Sequence, residues 1–235
     1  MTTRCWRQAV LRWHRANVGD GGPGARFGDA TFWRTSYATK KAPKEWFLSA
    51  EAAAASAART LDAHGPSKAD GPVRVLHAGC GLSALGLAFG EAVGAADVVN
   101  ADVSSEALAA LDSEAATSSS SPASASRQTF VLWDAFSSSE DAPGVFDVVL
   151  DKGTMDAAVF AGAEPLANYL GALRGCLCAE GAVLCHWSDE PPESRAELLR
   201  AAFPSDAVFW SAVDDDDGGG DDGAYYSYVV VRRAA

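Results

Sequence analysis

Signals for membrane insertion and nucleic-acid binding are scarce in this 235-residue chain. Its apolar runs are far shorter than the about 18 residues of a membrane-spanning helix, so we expect a soluble protein without a membrane partner. Basic residues are also few, because 19 lysines and arginines stand against 31 acidic residues, a formal charge of −12. Since nucleic-acid binding depends on positive charge, this deficit argues against a nucleic-acid partner and favours a basic one.

The chain also lacks the spacing patterns of metal sites and disulfide frameworks. Its five cysteines are an odd number without a Cys-x-x-Cys pair, and its four histidines show no ligand spacing. We therefore expect no bound metal ion. The cysteines are interpreted as buried thiols in a reducing compartment, and the cytoplasm is the expected location.

The first 27 residues differ in composition from the rest of the chain. Four arginines and no acid occur in residues 1–19, and a glycine-rich stretch follows. Residues 1–27 are interpreted either as a disordered arm or as a transit peptide, which would direct the protein to a mitochondrion or chloroplast. Residues 28–235 remain for the folded part, and their length suits one α/β domain better than two.

Two further stretches have low complexity. The Ser/Ala-rich residues 117–126 are predicted to form a surface loop, because they contain little that a core could bury. The Asp/Gly-rich residues 214–223 carry six aspartates. They are interpreted either as a solvated turn or as a flexible acidic tether that attracts a basic protein.

Short β-branched runs alternate with amphipathic stretches along the remaining sequence. The predicted strands, bounded by Gly, Pro, Asp or Ser, are Val73–His77, Val98–Ala101, Thr129–Leu132, Phe146–Leu150, Ala182–Trp187, Ala207–Val213 and Tyr225–Val231. The predicted helices are Glu45–His64, Ala84–Val93, Ser104–Ala116, Pro165–Cys178 and Pro192–Ala202. Strands separated by helices predict parallel crossovers, whereas the last two strands lack a helix between them and should form an antiparallel hairpin. The predicted fold is therefore α/β, with a doubly wound, mostly parallel seven-stranded sheet and a C-terminal antiparallel hairpin.

The strongest chemical signal is a glycine-rich turn between a predicted strand and a predicted helix. It has the form Gly-x-Gly-x-x-Ala from Gly79 to Ala84. Glycine at 79 and 81 lets the backbone approach a ligand that a Cβ atom would block. Asp102 ends the next predicted strand, 21 residues after Gly81, where a carboxylate can bind both ribose hydroxyls. This spacing predicts a nucleotide or nucleoside site, with plain tight packing as the alternative.

Acids also follow the third and fourth predicted strands. Asp134 is placed to accept a hydrogen bond from an adenine amino group, although a solvated loop acid or a helix cap is the alternative interpretation. Asp151 begins the segment Asp-Lys-Gly-Thr-Met-Asp-Ala, residues 151–157, directly after an apolar strand. The carboxyl edge of a parallel sheet is where such folds bind their ligands.

Residues 151–157 are similar to a motif of the class I, or seven-β-strand, S-adenosylmethionine (SAM) methyltransferases that modify lysine in eukaryotic elongation factor 1 alpha and in citrate synthase. Three other segments resemble the same group in the same order: residues 28–47, which are rich in aromatics, the glycine turn 79–83, and the Asn-x-Asp-Val-Ser segment 100–104. Residues 186–189 depart from the group's pattern. The resemblance implies a SAM-dependent methyltransferase that modifies lysine in a basic, translation-factor-like protein.

The resemblance also assigns roles to individual residues. The residues expected to contact SAM are Trp33, Tyr37, Trp46, Gly79, Gly81, Asp102, Val103, Asp134, Ala135 and Asp151. Asp151 would lie beside the sulfonium, and Asp151 or Asp156 would orient the acceptor amine or receive its proton. Both are therefore the predicted catalytic residues. For the three aromatic residues, ordinary helix packing is the alternative.

The sequence is also compatible with other functions. A small-molecule methyltransferase would share every cofactor residue, and a non-catalytic SAM-binding module would keep the pocket without turnover. An NAD(P)-dependent oxidoreductase fits less well, because the chain has no room for a second nucleotide-binding half together with a catalytic domain. The sequence does not indicate an oligomeric state.

Overall fold

The computed structural model describes residues 3–18, 25–66, 71–118, 126–137, 142–177, 180–213 and 225–233. These residues contain seven strands: β1 (Val73–Ala78), β2 (Ala96–Asp102), β3 (Arg127–Leu132), β4 (Val148–Lys152), β5 (Val183–Ser188), β6 (Ala207–Val213) and β7 (Tyr225–Val231). All seven form one sheet in the order β3-β2-β1-β4-β5-β7-β6.

The first five strands are parallel, and β7 runs antiparallel to both β5 and β6. This arrangement confirms the predicted α/β fold and its C-terminal antiparallel hairpin. The order reverses between β1 and β4, which pair in parallel with Val75 beside Val148. In such sheets, ligands bind outside the carboxyl ends of the strands at this reversal.

Eight α-helices and one 3₁₀ turn occur in the described residues. The helices are α1 (Thr3–Asn17), α2 (Ala30–Ala38), α3 (Ala50–His64), α4 (Leu85–Val93), α5 (Ser105–Ser118), α6 (Thr154–Ala161), α7 (Ala163–Cys176) and α8 (Pro192–Ala202), and the 3₁₀ turn is Ala25–Gly28. None of the helices in the described part of the chain is both long and apolar enough to cross a membrane.

Helices cover both faces of the sheet because successive side chains of a strand point to opposite faces. On β1, Val75 packs in a cluster with Ala53 and Ala57 of α3, whereas the next residue, Leu76, packs in a cluster with residues of α1, α7 and α8. The core therefore has two apolar layers, one on each side of the sheet. The carboxyl edge of the sheet is left free for a site.

Residues 3–18 do not form the disordered arm that was one interpretation of residues 1–27. They fold into α1, which packs against α7 and α8 and buries Trp6, Val10, Leu11 and Trp13. Apolar residues recur at helical spacing between the arginines. They form one apolar face of the helix, and this face packs into the core. Residues 19–24 lie outside the described part of the chain, and the transit-peptide interpretation stays a prediction.

Replacing Trp13 with Ala is expected to lower the free energy of unfolding by about 3–5 kcal/mol, the usual cost of truncating a buried tryptophan. The side chain is only 6% exposed in the cluster between α1 and its neighbours. Urea unfolding measures the effect. Arg12→Ala is the matched control, because Arg12 is exposed on the same helix and its removal should change stability little. Equal stability of the two variants would show that α1 is not part of the cooperative unit.

Helix α3 begins five residues later than the predicted helix Glu45–His64. Phe47 has a φ angle of +62°, a left-handed conformation that cannot continue into a right-handed helix. Ser49 then caps α3 by accepting a hydrogen bond from Ala52 N at 3.2 Å. Residues 45–48 are consequently free to cross the edge of the sheet.

Helices α2 and α6 were not among the predicted elements, and α7 begins and ends two residues earlier than predicted. Of the cysteines, Cys80, Cys176 and Cys185 are buried as expected, whereas Cys5 is exposed. Cys178, most of the Ser/Ala-rich residues 117–126 and the whole Asp/Gly-rich stretch 214–223 lie outside the described residues.

Candidate functional site

A cavity of about 620 Å³ opens at the carboxyl ends of β1 to β5. Its volume lies within the range of small-molecule and cofactor sites, about 300–1,000 Å³. One wall is formed by residues 27–47, which precede α3 and are called the aromatic segment below, and the other wall is formed by the ends of the strands. Of the residues predicted to contact SAM, all except Asp151 line this cavity.

The glycine turn after β1 is the tightest part of the cavity wall. Gly79 and Gly81 have φ angles of +61° and +52°, which side-chain-bearing residues rarely adopt. A Cβ atom on Gly79 would lie 2.0 Å from Thr154 Oγ1, and one on Gly81 would lie 2.6 Å from the Tyr37 hydroxyl. The turn therefore requires glycine at both positions and brings bare backbone to the cavity.

Asp102 holds the glycine turn in place from the end of β2. Its Oδ2 accepts a hydrogen bond from Gly81 N at 2.8 Å, and its Oδ1 accepts one from Ser104 N at 2.9 Å. Burial raises the pKa of this carboxyl group, and the hydrogen bonds from the backbone oppose that rise. Each carboxylate oxygen keeps a lone pair for a further donor, so Asp102 can stabilise the turn and still bind a ligand hydroxyl.

The end of β3 supplies Trp133, Asp134 and Ala135 to the cavity. Trp133 and Ala135 are buried, whereas Asp134 is exposed and accepts a hydrogen bond from Phe136 N at 3.1 Å. Asp134 is thus an exposed loop acid, which was one alternative interpretation, and it caps a local turn instead of a helix. The same position leaves the carboxylate beside the cavity.

Trp33 and Tyr37 lie one turn apart on α2 and stack with their ring centroids 5.8 Å apart. Trp33 Nε1 donates a hydrogen bond to Phe27 O at 2.7 Å. These rings and Trp46 line the cavity and are only partly buried. Burial and the nearby Asp102 carboxylate raise the pKa of the Tyr37 hydroxyl, so Tyr37 stays neutral.

Glu45 joins the aromatic segment to the sheet, a role that sequence reasoning missed. Its carboxylate forms an ion pair with Lys152 at the end of β4 and accepts hydrogen bonds from Ser83 Oγ at 2.7 Å and Ala84 N at 3.2 Å. Lys152 also donates to Leu48 O at 2.8 Å, and burial lowers the pKa of its ammonium group. Glu45 and Lys152 both lie in segments that resemble the lysine methyltransferase group. This resemblance was the sequence signal that could have identified them.

Asp151 does not line the cavity, which corrects its predicted roles as a catalytic residue and as a cofactor contact. Its fully buried carboxylate accepts hydrogen bonds from Thr154 N at 3.0 Å and Met155 N at 3.3 Å, at the start of α6, and from the Tyr169 hydroxyl at 2.9 Å. Because the backbone turns at Gly153, with a φ angle of +89°, the carboxylate faces α6 and α7. Asp151 is a structural cap.

Asp156 is the predicted catalytic carboxylate that does line the cavity. Its Oδ1 accepts a hydrogen bond from Ser188 Oγ at 2.6 Å and lies 2.5 Å from Nη2 of Arg195. Arg195 comes from α8 and is 1% exposed. Ser188 at the end of β5 and Arg195 on α8 therefore fix the position of the Asp156 carboxylate.

Two more acids, Asp189 and Glu190, follow β5 and line the same end of the cavity. Asp189 belongs to residues 186–189, where the sequence departs from the pattern of the resembled group. Partial burial, together with the Asp156 carboxylate, raises the pKa of Asp189. On the opposite wall, burial and the nearby Lys152 lower the pKa of His77 to about 4, so His77 is neutral near pH 7. No cluster of metal-ligating side chains occurs in the described ranges.

Comparisons with solved structures identify the fold. A crystal structure of magnesium protoporphyrin IX methyltransferase from Synechocystis PCC 6803 with bound SAM superposes with a TM-score of 0.54 at 15% identity, covering 78% of this chain and 79% of that one. Ribosomal protein L11 methylase from Lactobacillus delbrueckii subsp. bulgaricus gives 0.50 at 17% identity, over 77% and 78%. A plantazolicin methyltransferase in complex with S-adenosylhomocysteine (SAH) gives 0.52 at 14% identity, over 97% and 95%.

At these identities the likeness shows the fold alone, which is the class I SAM-dependent methyltransferase fold. The sequence matches no protein-family model, and no curated protein matches it.

Proposed function

We propose that this protein binds SAM and transfers its methyl group to the side-chain amine of a lysine in a basic protein. The observation that carries the choice of acceptor is the group of three carboxylates, Asp156, Asp189 and Glu190, at one end of the cavity, where Arg195 is the one cation beside them among the lining residues. A cationic acceptor fits this end better than an acidic one.

The strand order divides the cavity into two halves. The donor half lies over β1, β2 and β3, and it contains the glycine turn and the acids Asp102 and Asp134. The acceptor half lies beyond β4 and β5, and it contains Asp156, Asp189 and Glu190. A ligand that spans the reversal between β1 and β4 would reach both halves.

The donor half fits SAM on its own chemistry. The glycine turn brings bare backbone to the cavity wall, and the Asp102 carboxylate suits two ribose hydroxyls. Trp33 and Tyr37 provide an aromatic cover. When bound, SAM supplies an activated methyl group on a sulfonium sulfur.

The residues of the acceptor half would align the amine and control its proton. Alignment of two reacting groups is worth about 7–11 kcal/mol in favourable cases. A lysine ammonium, with a reference pKa of about 10.4, must lose a proton before it attacks. Removal of the amine from water favours its neutral form, Asp156 would orient it, and Asp189, whose pKa is raised, would receive the proton.

Incubation of the protein with tritiated SAM and a cell extract tests the proposal. The expected result is a labelled protein band whose acid hydrolysate contains radioactive methyllysine, with labelling suppressed by excess SAH. Label in the low-mass fraction alone would favour the small-molecule methyltransferase. Failure of calorimetry to detect SAM binding would refute the cofactor assignment.

Replacing Asp102 with Asn is expected to weaken SAM binding about tenfold to a hundredfold, because charge-assisted hydrogen bonds contribute about 1.5–3 kcal/mol each. Calorimetry with the folded variant measures the change. Asp97→Asn is the matched control, because Asp97 lies on the same strand, pairs with Arg127 and does not line the cavity. If both variants bind SAM like the unmodified protein, the ribose site lies elsewhere.

A further inference from the structure

Three aromatic rings from separate segments meet where the acceptor half borders the donor half, and two of them also contact the Trp33 ring, with centroids 5.9 and 6.2 Å away. Phe27 belongs to the 3₁₀ turn, Trp46 to the segment before α3, and Phe160 to α6, and all three line the cavity. The rings of Phe27 and Trp46 lie 6.3 Å apart at 80°, and those of Phe27 and Phe160 lie 6.0 Å apart at 53°. The adjacent rings therefore meet at steep angles and form a concave corner of the cavity.

Close backbone packing places this corner beside α6, the helix that follows β4. A Cβ atom on Gly28 would lie 2.2 Å from Ala161 Cα, so the 3₁₀ turn that carries Phe27 rests directly on α6. A Cβ atom on Gly153 would lie 3.9 Å from Trp46 Cβ, which places Trp46 over the start of the same helix. The three rings are therefore on the same side of the cavity as Asp156, which belongs to α6.

Two of these rings are unusually accessible for their size. Trp46 is 36% exposed and Phe160 is 41% exposed, although most large apolar side chains of the described residues are buried. Exposed apolar surface beside a cavity marks a contact for a ligand or a partner. Ring faces attract cations, and methylated ammonium groups in particular are recognised by aromatic cages.

Each methyl transfer changes what the acceptor half must bind. The amine lone pair forms the new N–C bond, the C–S bond breaks with its electron pair going to sulfur, and SAM becomes SAH. The methylated ammonium then loses a proton to a carboxylate or water before the next transfer, which uses another SAM. Every methyl removes an N–H donor and adds apolar surface, so carboxylates hold the product less well and rings hold it better.

We infer that Phe27, Trp46 and Phe160 form an aromatic cage that retains mono- and dimethyllysine, so that the final product is trimethyllysine. This inference rests on the proposed lysine acceptor. It specifies the degree of methylation and the residues that set it. The nearby carboxylates bind the unmodified amine, and the cage takes over as methyl groups accumulate.

Binding of four model amines to the SAH-saturated protein tests the cage without requiring turnover. The amines are Nα-acetyl-lysine N-methylamide with zero, one, two or three methyl groups on Nε. The expected affinity rises with each methyl group, by about tenfold in total, as stacking of a desolvated cation on rings predicts. A flat or falling affinity in the unmodified protein would overturn the inference.

Phe160→Leu and Phe27→Leu remove a ring while keeping apolar volume, and each should remove most of the rise. Phe209→Leu is the matched control, because Phe209 is 47% exposed on β6 and does not line the cavity. It should leave the rise intact. If the Phe160 and Phe27 variants keep the rise too, the rings do not select methylated amines.

Failure of this inference is distinguishable from failure of the proposed function. Radioactive methyllysine from the extract, combined with no preference among the four amines, would overturn the cage alone. A clear preference for the trimethylated amine with no methyllysine in the labelled hydrolysate would support the cage and overturn the proposed transfer to lysine.

Discussion

Replacing Glu45 with Ala is expected to lower the free energy of unfolding by about 3–5 kcal/mol, the cost of leaving a buried charge without its partner. The Lys152 side chain is 1% exposed, and Glu45 is the one carboxylate with which it forms an ion pair in the described residues. The Glu45 side chain is 26% exposed, which places the expected effect near the lower end of that range. Urea unfolding provides the measurement.

A double variant separates loss of the counter-charge from loss of packing. Lys152→Met removes the buried ammonium, so combining it with Glu45→Ala should restore part of the stability lost in the single variant. SAM affinity should stay low in both, because Glu45 also binds Ser83 and the start of α4 and thereby holds the aromatic segment. Equal stability of the single and double variants would show that the pair carries no coupling.

Replacing Asp151 with Ala is expected to cost about 3 kcal/mol or more of stability, because two backbone donors and the buried Tyr169 hydroxyl lose their acceptor. Asp156→Asn should affect turnover far more. It keeps the shape and a hydrogen-bond acceptor for Ser188 and Arg195, yet removes the charge that would orient the amine. We expect turnover lowered about a hundredfold, with a smaller loss of stability than in Asp151→Ala, because the buried Arg195 loses its counter-charge but keeps an acceptor.

Thermal unfolding and the rate of methyl transfer to the protein that is labelled in the extract are measured for both variants. The two measurements separate a loss of stability from a loss of turnover. Asp134→Asn is a useful third variant, because its carboxylate is exposed and belongs to the donor half. It should change SAM affinity more than stability. A stable, inactive Asp151→Ala protein would restore Asp151 as a catalytic residue and contradict its placement as a cap.

The contrast between Asp151 and Asp156 explains why the sequence predicted the motif but not the role of each acid. Both carboxylates follow the same apolar strand, so their positions in the sequence favour the ligand edge equally. The left-handed turn at Gly153 and the start of α6 then direct Asp151 into the protein and Asp156 toward the cavity. Side-chain direction depends on these few backbone angles, which a spacing pattern does not contain.

Residue patterns within short segments determined the sheet and the donor half. β-branched runs, helical periodicity and turn residues act over a few positions, and they predicted all seven strands and the final antiparallel hairpin. The requirement for glycine at 79 and 81 is equally local, because it follows from the backbone angles of one turn. Asp102 could be found because strand and helix lengths fix its distance from that turn.

Tertiary structure alone decided the contacts between segments distant in the chain. The ion pair between Glu45 and Lys152 joins residues 107 positions apart, and α1 packs on α7 and α8 from the other end of the sequence. The cage of Phe27, Trp46 and Phe160 likewise forms only when three segments meet at the edge of the sheet. Such contacts depend on how the elements pack around the core, and no local periodicity encodes which distant partner a side chain will meet.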